Sequence, residues 1–363
     1  MNNYQLKTRQ VCLFLISFLP VVKIFSLPSL IAGSANQDTW ISSLISFALD
    51  FITLSVILLA CKNAKTDFFG LLENSFGKTG AKIILVFYLV YFFLKAIVPL
   101  SEQKDYVELT LYTLKPTLFY FLPFFILALY TCFKGIRVLG RISDVLWMVT
   151  INGFILLFAL SLSNADFEAV LPIGASGIGN ILKGSYSSLN WFGDVVYVMF
   201  FIGHFKYEKK AGLKILLSFI ISAIMVVAFM IIFYCIFTSI AYRQRFALTE
   251  ISKYTTVIND LGRFDYIGII SILFSNLFAL CLPIYFCSKI IDYVFNVRLK
   301  WIAPCIAVGL QVLVLVFFNQ RIASLGTFIL AYGSPFFFLL SNVLPIIISL
   351  ILRKENNYAT QKS

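Results

Sequence analysis

Lys23 is the residue whose position in the sequence most clearly suggests chemistry. It lies within residues 19–28, LPVVKIFSLP, about halfway through an apolar segment. Pro20 and Pro28 each remove a backbone donor and kink or unwind a helix. A broken helix at the middle of a membrane frees backbone groups that can bind the carboxylate or amine of a small molecule. The residues predicted to line a ligand site here are Val22, Lys23, Ile24 and Ser26. The alternative is that Lys23 only neutralises a nearby carboxylate or binds a freed carbonyl.

A second polar interruption lies in residues 186–194, YSSLNWFGD, at the start of another apolar segment. Ionisable residues within apolar spans are costly and usually face a cavity or a partner. We therefore predict that Asn190, Gly193 and Asp194 belong to the same ligand site, with Lys23 and Asp194 facing one central cavity. The alternative is that Asp194 caps the outer end of a helix.

Other ionisable residues in apolar segments give weaker signals. They are Asp50, the Lys95 and Glu102 pair on one helix face, the Lys289 and Asp292 pair, and His204. Lys95 could equally extend its ammonium to the membrane surface. We interpret the Lys289 and Asp292 pair as structural and His204 as an interfacial residue. Because no nucleophile–base, metal or phosphate motif is present, the sequence predicts neither an enzyme nor a cofactor or metal site.

The elements that carry these residues are ten apolar segments. The chain is 60% hydrophobic and 13% charged, with 39 Phe. Soluble domains are nearer half apolar and a quarter charged, and a bilayer core needs about 20 helical residues to cross it. The segments lie near 10–33, 41–61, 83–100, 118–133, 144–163, 187–204, 213–241, 266–294, 301–318 and 327–352. We predict an all-α integral membrane protein with one ten-helix domain over residues 1–363.

The two interrupted segments are the first and the sixth. This offset of five is expected if a five-helix unit occurs twice with inverted topology. The fold predicted is thus a five-plus-five inverted repeat in which helices 1 and 6 are broken.

The distribution of Lys and Arg predicts the orientation in the membrane. One set of loops and tails carries 18 of these residues and the opposite set carries 8, together with nine acids. Positive loops remain in the cytoplasm, so both termini are predicted to be cytoplasmic. The same bias explains the net charge of +12, so nucleic acid is not a predicted partner.

The longest connection on the outer side, residues 242–265, has an amphipathic pattern. Its apolar residues recur at helical spacing, and they are Leu248, Ile251, Tyr254, Val257, Ile258 and Leu261. We predict a helix that lies on the outer membrane surface or against the bundle.

Several short motifs, taken in order, resemble those of one known family. They are Thr8-Arg9-Gln10 with Leu27-Pro28, Lys134-Gly135-Ile136 with Arg141, Leu171-Pro172, Gly177-Ile178, Lys183-Gly184-Ser185 and Gly262-Arg263-Phe264-Asp265. In these the chain is similar to the B-subunit family of bacterial spore germinant receptors, the GerAB-type spore permeases. That family is related to amino acid permeases of the APC superfamily, which have a LeuT-like fold of ten helices in a five-plus-five inverted arrangement.

The resemblance has two departures at the predicted site. The family usually has a glycine in the break of the first span, where this chain has Val21-Val22-Lys23. It usually has a glutamate early in the sixth span, where this chain has Gly193-Asp194. A lysine in the break could occupy the place of a substrate amine or a coupling cation.

The resemblance implies a receptor subunit in the inner membrane of a dormant spore. The implied partners are a larger membrane A subunit, a C-subunit lipoprotein and the surrounding membrane lipid. The implied ligand is a small nutrient, often an amino acid, whose binding triggers germination. The alternative that shares this fold is a proton- or cation-coupled amino acid transporter.

Overall fold

A computed structural model describes residues 6–62, 64, 66–111, 117–253, 265–318 and 321–361. Apart from short 3-10 turns and one isolated bridge between Leu6 and Phe205, the regular structure in these ranges is helical. The helices are α1 (Thr8–Lys23), α2 (Leu27–Ala35), α3 (Thr39–Lys62), α4 (Phe68–Leu111), α5 (Thr117–Lys134), α6 (Ile136–Ser161), α7 (Ile178–Ser188), α8 (Val196–Phe200), α9 (Ala211–Phe237), α10 (Ala247–Lys253), α11 (Asp265–Phe295), α12 (Ile302–Phe317), α13 (Ile322–Tyr332), α14 (Ser334–Phe338) and α15 (Leu344–Gln361).

Both predicted interruptions are present as breaks between helices. The first apolar segment forms α1 and α2, separated by residues 24–26, and the sixth contains the end of α7 and all of α8, separated by residues 189–195. Pro20 lies inside α1, and Pro28 lies in the first turn of α2, where its missing N–H is tolerated. The prolines therefore help to divide this segment at the position where Lys23 ends α1.

Length and apolarity identify this as a multi-pass membrane protein. Among the residues that the structure describes, six helical stretches are long and apolar enough to cross a bilayer, and two shorter apolar helices, Phe121–Lys134 and Ile302–Phe317, accompany them. Each predicted segment overlaps at least one of the helices, but the broken ones do not qualify individually, so the count of ten spans stays a prediction. Large apolar side chains such as Ile126, Ile224 and Phe317 are exposed, as expected on a surface that faces lipid.

Two segment boundaries differ from those predicted. The third segment, predicted at 83–100, lies inside the much longer α4, which is interrupted at Gly77 by a positive φ of 69°. The tenth consists of α13, α14 and α15, with a π-helical turn at Leu339–Val343. Local hydrophobicity does not report either feature, because both depend on backbone geometry within apolar sequence.

The broken helices lie at the centre of the helix packing. α1 packs against α6, α9 and α11, α2 packs against α7, and α8 contacts α3. Around the short α8, Tyr197 and Phe200 join Phe92 and Phe286 in a close aromatic cluster, with ring centroids 5.0 to 5.6 Å apart. The cluster thus covers α8 with close-packed apolar surface.

The described part of the predicted outer helix is α10, and it packs against the bundle. Leu248 and Ile251 are completely buried, and the Ala247 N–H donates to the Phe25 carbonyl at 2.8 Å. Burial of these side chains favours the bundle over the membrane surface for this segment. The remaining residues of the predicted pattern, Tyr254, Val257, Ile258 and Leu261, lie outside the described residues, as do residues 262–264 of the last family motif.

Candidate functional site

The break between α1 and α2 is ordered by polar contacts from other helices. Lys23 is the last residue of α1, where a positive charge is favourable at the negative end of the helix dipole. Beyond it, the Phe25 carbonyl accepts the bond from Ala247, and the Ser26 hydroxyl donates to the Glu102 carboxylate. Freed backbone and side-chain groups of the break thus bind α4 and α10.

The break between α7 and α8 turns at Gly193, which has a φ of +82°. The Gly193 N–H donates to both carboxylate oxygens of Asp50, at 3.1 and 3.0 Å. A side chain at Gly193 would also place its Cβ 2.1 Å from the Cβ of Ser341. Only glycine fits here, because both the backbone conformation and the close approach of the π-helical turn exclude a larger residue.

Lys23 and Asp194 form an ion pair across the two breaks, with both side chains completely buried. Lys95 of α4 approaches the other carboxylate oxygen of Asp194, at 3.1 Å. The Lys23 ammonium also lies 5.1 Å from the centroid of the Phe192 ring, within range of a cation–π interaction. We call Lys23, Lys95 and Asp194 the charged cluster.

Lys95 also binds the backbone of the second break. Its ammonium donates to the carbonyls of Asn190 and Phe192, at 2.9 and 2.6 Å. An unwound helix leaves such carbonyls without their usual partners, and a buried carbonyl without a partner is costly. Lys95 therefore stabilises the unwound backbone of residues 189–195 as well as the charge of Asp194.

Glu102 links the two breaks on a second line of contacts. Its Oε1 accepts bonds from the Ser26 hydroxyl and from the indole Nε1 of Trp191, the latter at 3.1 Å. Ser26 belongs to the first break and Trp191 to the second. Both breaks are thus connected twice, by the charged cluster and by Glu102.

Asn190 is held so that one polar atom stays available. Its Nδ2 donates to the Leu330 carbonyl at 2.9 Å and lies 3.2 Å from the Ser334 hydroxyl. Its Oδ1 is buried and has no hydrogen-bond partner among the residues that the structure describes. A buried acceptor of this kind is a position where a ligand N–H would be stabilised.

The structure brings together the predicted polar site residues and separates the apolar ones. Lys23, Ser26, Asn190, Gly193 and Asp194 all contribute to the network described above. The side chains of Val22 and Ile24 are buried in apolar clusters on either side of it. Asp194 lies within the break, and Val195 rather than Asp194 is the N-cap of α8, so the capping alternative is wrong. Asp194 and Lys23 meet as an ion pair, so Lys23 neutralises a nearby carboxylate, as its alternative interpretation had it, and a role of the two residues in ligand binding stays a prediction.

Other residues of the network give weak signals in the sequence or none at all. Asp50 and Lys95 were weak candidates, because their partners lie about a hundred residues away in the chain. Ser341 and Asn342 in the π-helical turn were not predicted, although Asn342 accepts a bond from Thr53 at 2.8 Å. The available signal was their polarity within an apolar segment, and π-helical turns often mark functional sites.

Aromatic residues follow the charged cluster along α8. We call Phe92, Tyr197, Phe200 and Phe286, whose rings contact one another, the aromatic layer. Phe200 and Phe286 of this layer, together with His204, line a cavity of about 590 Å³. In the described ranges, no three His, Cys, Asp or Glu residues are grouped as metal ligands would be.

Comparisons with solved structures identify the fold. A manganese transporter from Eremococcus coleocola, solved as a single-residue mutant, superimposes with a TM-score of 0.60 over 98% of this chain and 86% of its own, at 12% identity. The transporter MhsT in complex with L-phenylalanine gives a TM-score of 0.59 over 94% of this chain and 87% of its own, also at 12% identity. The chain therefore has the LeuT-type transporter fold, as predicted.

Comparisons of sequence identify the family. The spore germination protein YndE of Bacillus subtilis is 20% identical over 212 residues, an alignment that covers 58% of this chain and 58% of YndE. The chain thus spans less than two thirds of the length of this curated relative. The sequence profile of the spore permease family, described as spore germination protein, matches residues 5–348. The predicted resemblance is confirmed, and the chain belongs to the spore germination protein family of membrane permeases.

Proposed function

We propose that this protein is the membrane subunit of a spore nutrient-germinant receptor, which senses a small nutrient such as an amino acid. The observation that carries this proposal is the buried charged cluster at the two helix breaks, in a chain of the spore germination family. Charged groups buried in a membrane protein mark sites of ion or substrate recognition. The proposed ligand-contacting residues are Val22, Lys23, Ile24, Ser26, Asn190, Gly193 and Asp194.

The chemistry of the cluster suits a zwitterionic ligand. Asp194 accepts two lysine ammonium groups, so a nutrient amino group would compete with Lys23 for the same carboxylate. Lys23 released in this way would be free to bind the nutrient carboxylate. The unpartnered Oδ1 of Asn190 would accept a further N–H from the ligand. Lys23 would thus act as an internal substitute for the ligand amine when no ligand is bound.

Exchange of Lys23 for a ligand provides a route to signalling. A ligand shifts a conformational equilibrium only when it binds one conformation more tightly than the other. We call the conformation seen in the structure the closed arrangement. It is supported on one side of the breaks by α10, which binds the Phe25 carbonyl, and on the other side by the aromatic layer. Displacement of Lys23 would weaken the link between the breaks and favour movement of their halves.

The remaining parts of the proposal come from the family and from the distribution of Lys and Arg rather than from the geometry of the site. We infer that the protein resides in the spore inner membrane with both termini in the cytoplasm. A larger A subunit and a C-subunit lipoprotein are the proposed partners. The side of the chain that is rich in Lys and Arg would then face the spore core.

Germination of spores from the source organism, with and without this gene, tests the proposal. The deletion should abolish the response to one nutrient and leave a non-nutrient trigger unaffected. Complementation with Lys23→Gln or Asp194→Asn should fail to restore that response, whereas the exposed control Lys78→Gln should restore it. An unchanged response to every nutrient, in a strain without a paralogue, would contradict the proposal.

The alternative function is a proton- or cation-coupled amino acid transporter, and the shared fold of the two solved transporters favours it. Reconstitution of the lone subunit in proteoliposomes distinguishes the two functions. Amino acid uptake driven by a cation gradient supports a transporter. A response that requires the partner subunits supports a receptor.

A further inference from the structure

A groove lined by basic side chains lies at the start of α1 and of α9. Its volume is about 930 Å³, and it is independent of the charged cluster. The basic side chains are Lys7, Arg9, Lys206 and Lys214, and among the described residues of its wall Glu208 is the one that is acidic. Each of these five side chains belongs to an exposed residue. The groove therefore has a positive potential that is open to the aqueous side.

Arg9 contributes part of its charge to the groove and part to a neighbouring helix. One guanidinium nitrogen contacts a carboxylate oxygen of Asp144 at 2.9 Å, and the Arg9 side chain is still 70% exposed. A guanidinium has five N–H donors, so this one pair leaves others free. The lysines have no ion pair with a described carboxylate. Their charge is thus available to an external anion.

The second wall of the groove is apolar and continues into the surface that faces lipid. Leu217 and Ile221, one turn apart on α9, line the groove and are 50% and 45% exposed. Further along α9, Ile220 and Ile224 are also exposed. A free phosphate ion would leave this wall in contact with water, whereas the acyl chain of a phospholipid would cover it. The juxtaposition of a positive end and an apolar wall matches a phospholipid with an anionic headgroup.

The groove also lies where the start of α1 meets the residues that follow α8. The Leu6 N–H donates to the His204 carbonyl at 3.0 Å, and the Thr8 hydroxyl donates to the Lys206 carbonyl at 3.0 Å. Lys7 and Arg9 lie at the start of α1, the helix that ends at Lys23, and Lys206 follows α8, the helix that begins after Asp194. A single headgroup that contacts basic side chains of both segments would hold the two segments together.

We propose that this groove is a binding site for one anionic phospholipid, whose phosphate contacts Lys7, Lys206 and Lys214 and whose acyl chain lies along Leu217 and Ile221. The bound lipid stabilises the closed arrangement of the inner segments. Interfacial lysines each add appreciable affinity for anionic lipid, so the loss of two should be readily measured.

The experiment is titration of the full-length protein in detergent with a short-chain fluorescent phosphatidylglycerol. The chain offers a matched control, because Lys209 and Lys210 are exposed lysines of the same loop that do not line the groove. Lys206→Gln/Lys214→Gln should weaken binding about tenfold or more, since each lysine near the headgroup contributes several-fold. Lys209→Gln/Lys210→Gln removes the same charge and should change the affinity by less than about twofold, because neither side chain lies in the groove.

Three further arms separate this site from general charge attraction. Glu208→Gln should tighten binding, because it removes the one carboxylate of the wall. Leu217→Gln should weaken phosphatidylglycerol binding, whereas competition by inorganic phosphate should require far higher concentrations. Equal losses in the groove and control double variants would overturn the proposal, as would competition by inorganic phosphate at the lipid concentration. Thermal unfolding of each variant in the same detergent establishes that the comparison is between folded proteins.

Discussion

The ammonium of Lys23 contacts the carboxylate of Asp194 although 171 residues separate them in the chain. Neither side chain is accessible to solvent. The contact spans the two points at which the membrane helices are broken, so the helix interruptions and the buried charges are parts of one arrangement.

Removal of one charge from the cluster should destabilise the protein. Breaking a buried ion pair by removing one partner costs about 3–5 kcal/mol of the free energy of unfolding. Asp194→Asn should cost more than Lys23→Met, because it leaves two lysines without their shared carboxylate, whereas Lys95 still accompanies Asp194 in the second variant. Thermal unfolding of the purified variants measures this order, and Lys78→Met serves as the exposed control.

The reversed pair Lys23→Asp/Asp194→Lys provides the stricter measurement. It should recover part of the stability lost in the single variants, because the pair can re-form with opposite polarity. A reversed pair that is no more stable than the worse single variant would show that the two residues do not act together.

Gly193→Ala should destabilise the second break for two separable reasons. A positive φ costs an alanine about 1–2 kcal/mol, and the added Cβ would lie 2.1 Å from that of Ser341. Gly174→Ala is the matched control, because Gly174 has the same φ of +82° but no atom lies within 4 Å of the added Cβ. The loss of unfolding free energy should be larger at Gly193, and Ser341→Gly should rescue only the steric part. Equal losses at the two glycines would contradict the steric argument.

Arg245→Gln should affect the threshold for nutrient more than it affects stability. The guanidinium of Arg245 contacts Asp105 at 2.5 Å, with 56% of its side chain exposed, beside the segment that leads to α10. Such exposed pairs contribute about 1 kcal/mol or less to the free energy of unfolding. Because α10 binds the first break, its loosening should lower the nutrient concentration that gives half-maximal germination. A higher or unchanged threshold would argue against α10 as part of the outer closure.

Phe286→Ala should open the inner side of the site. The Phe286 ring is buried and contacts Tyr197 and Phe200, so the substitution leaves a gap in the aromatic layer. We expect faster leakage of small cations from proteoliposomes, with a loss of stability of about 3–5 kcal/mol. Phe317→Ala, at a ring that is 79% exposed, should change neither quantity. Leakage equal to that of the unchanged protein would show that another layer seals the inner side.

The sequence was sufficient to predict the fold class and the two breaks, because both depend on local signals. Apolar length and proline or glycine interruptions can be recognised without knowing any contact. The expectation that the breaks meet placed Lys23 and Asp194 close together, but it left open whether the two side chains pair. The importance of Asp50 and Lys95 for the network could not be predicted, because it depends on which distant residues the helix face carrying each side chain contacts. The role of Ser341 depends on the π-helical turn, which arises from backbone register rather than from hydrophobicity.

The bridge between Leu6 and Phe205 has a mechanical consequence. Together with the hydrogen bond from Thr8 to Lys206, it connects the residues at the start of α1 to the segment that follows α8. Because these contacts join the start of α1 to the residues after α8, we expect the two helix halves to move together rather than independently. We then expect any opening at this end of the bundle to be a single hinge motion about the two breaks.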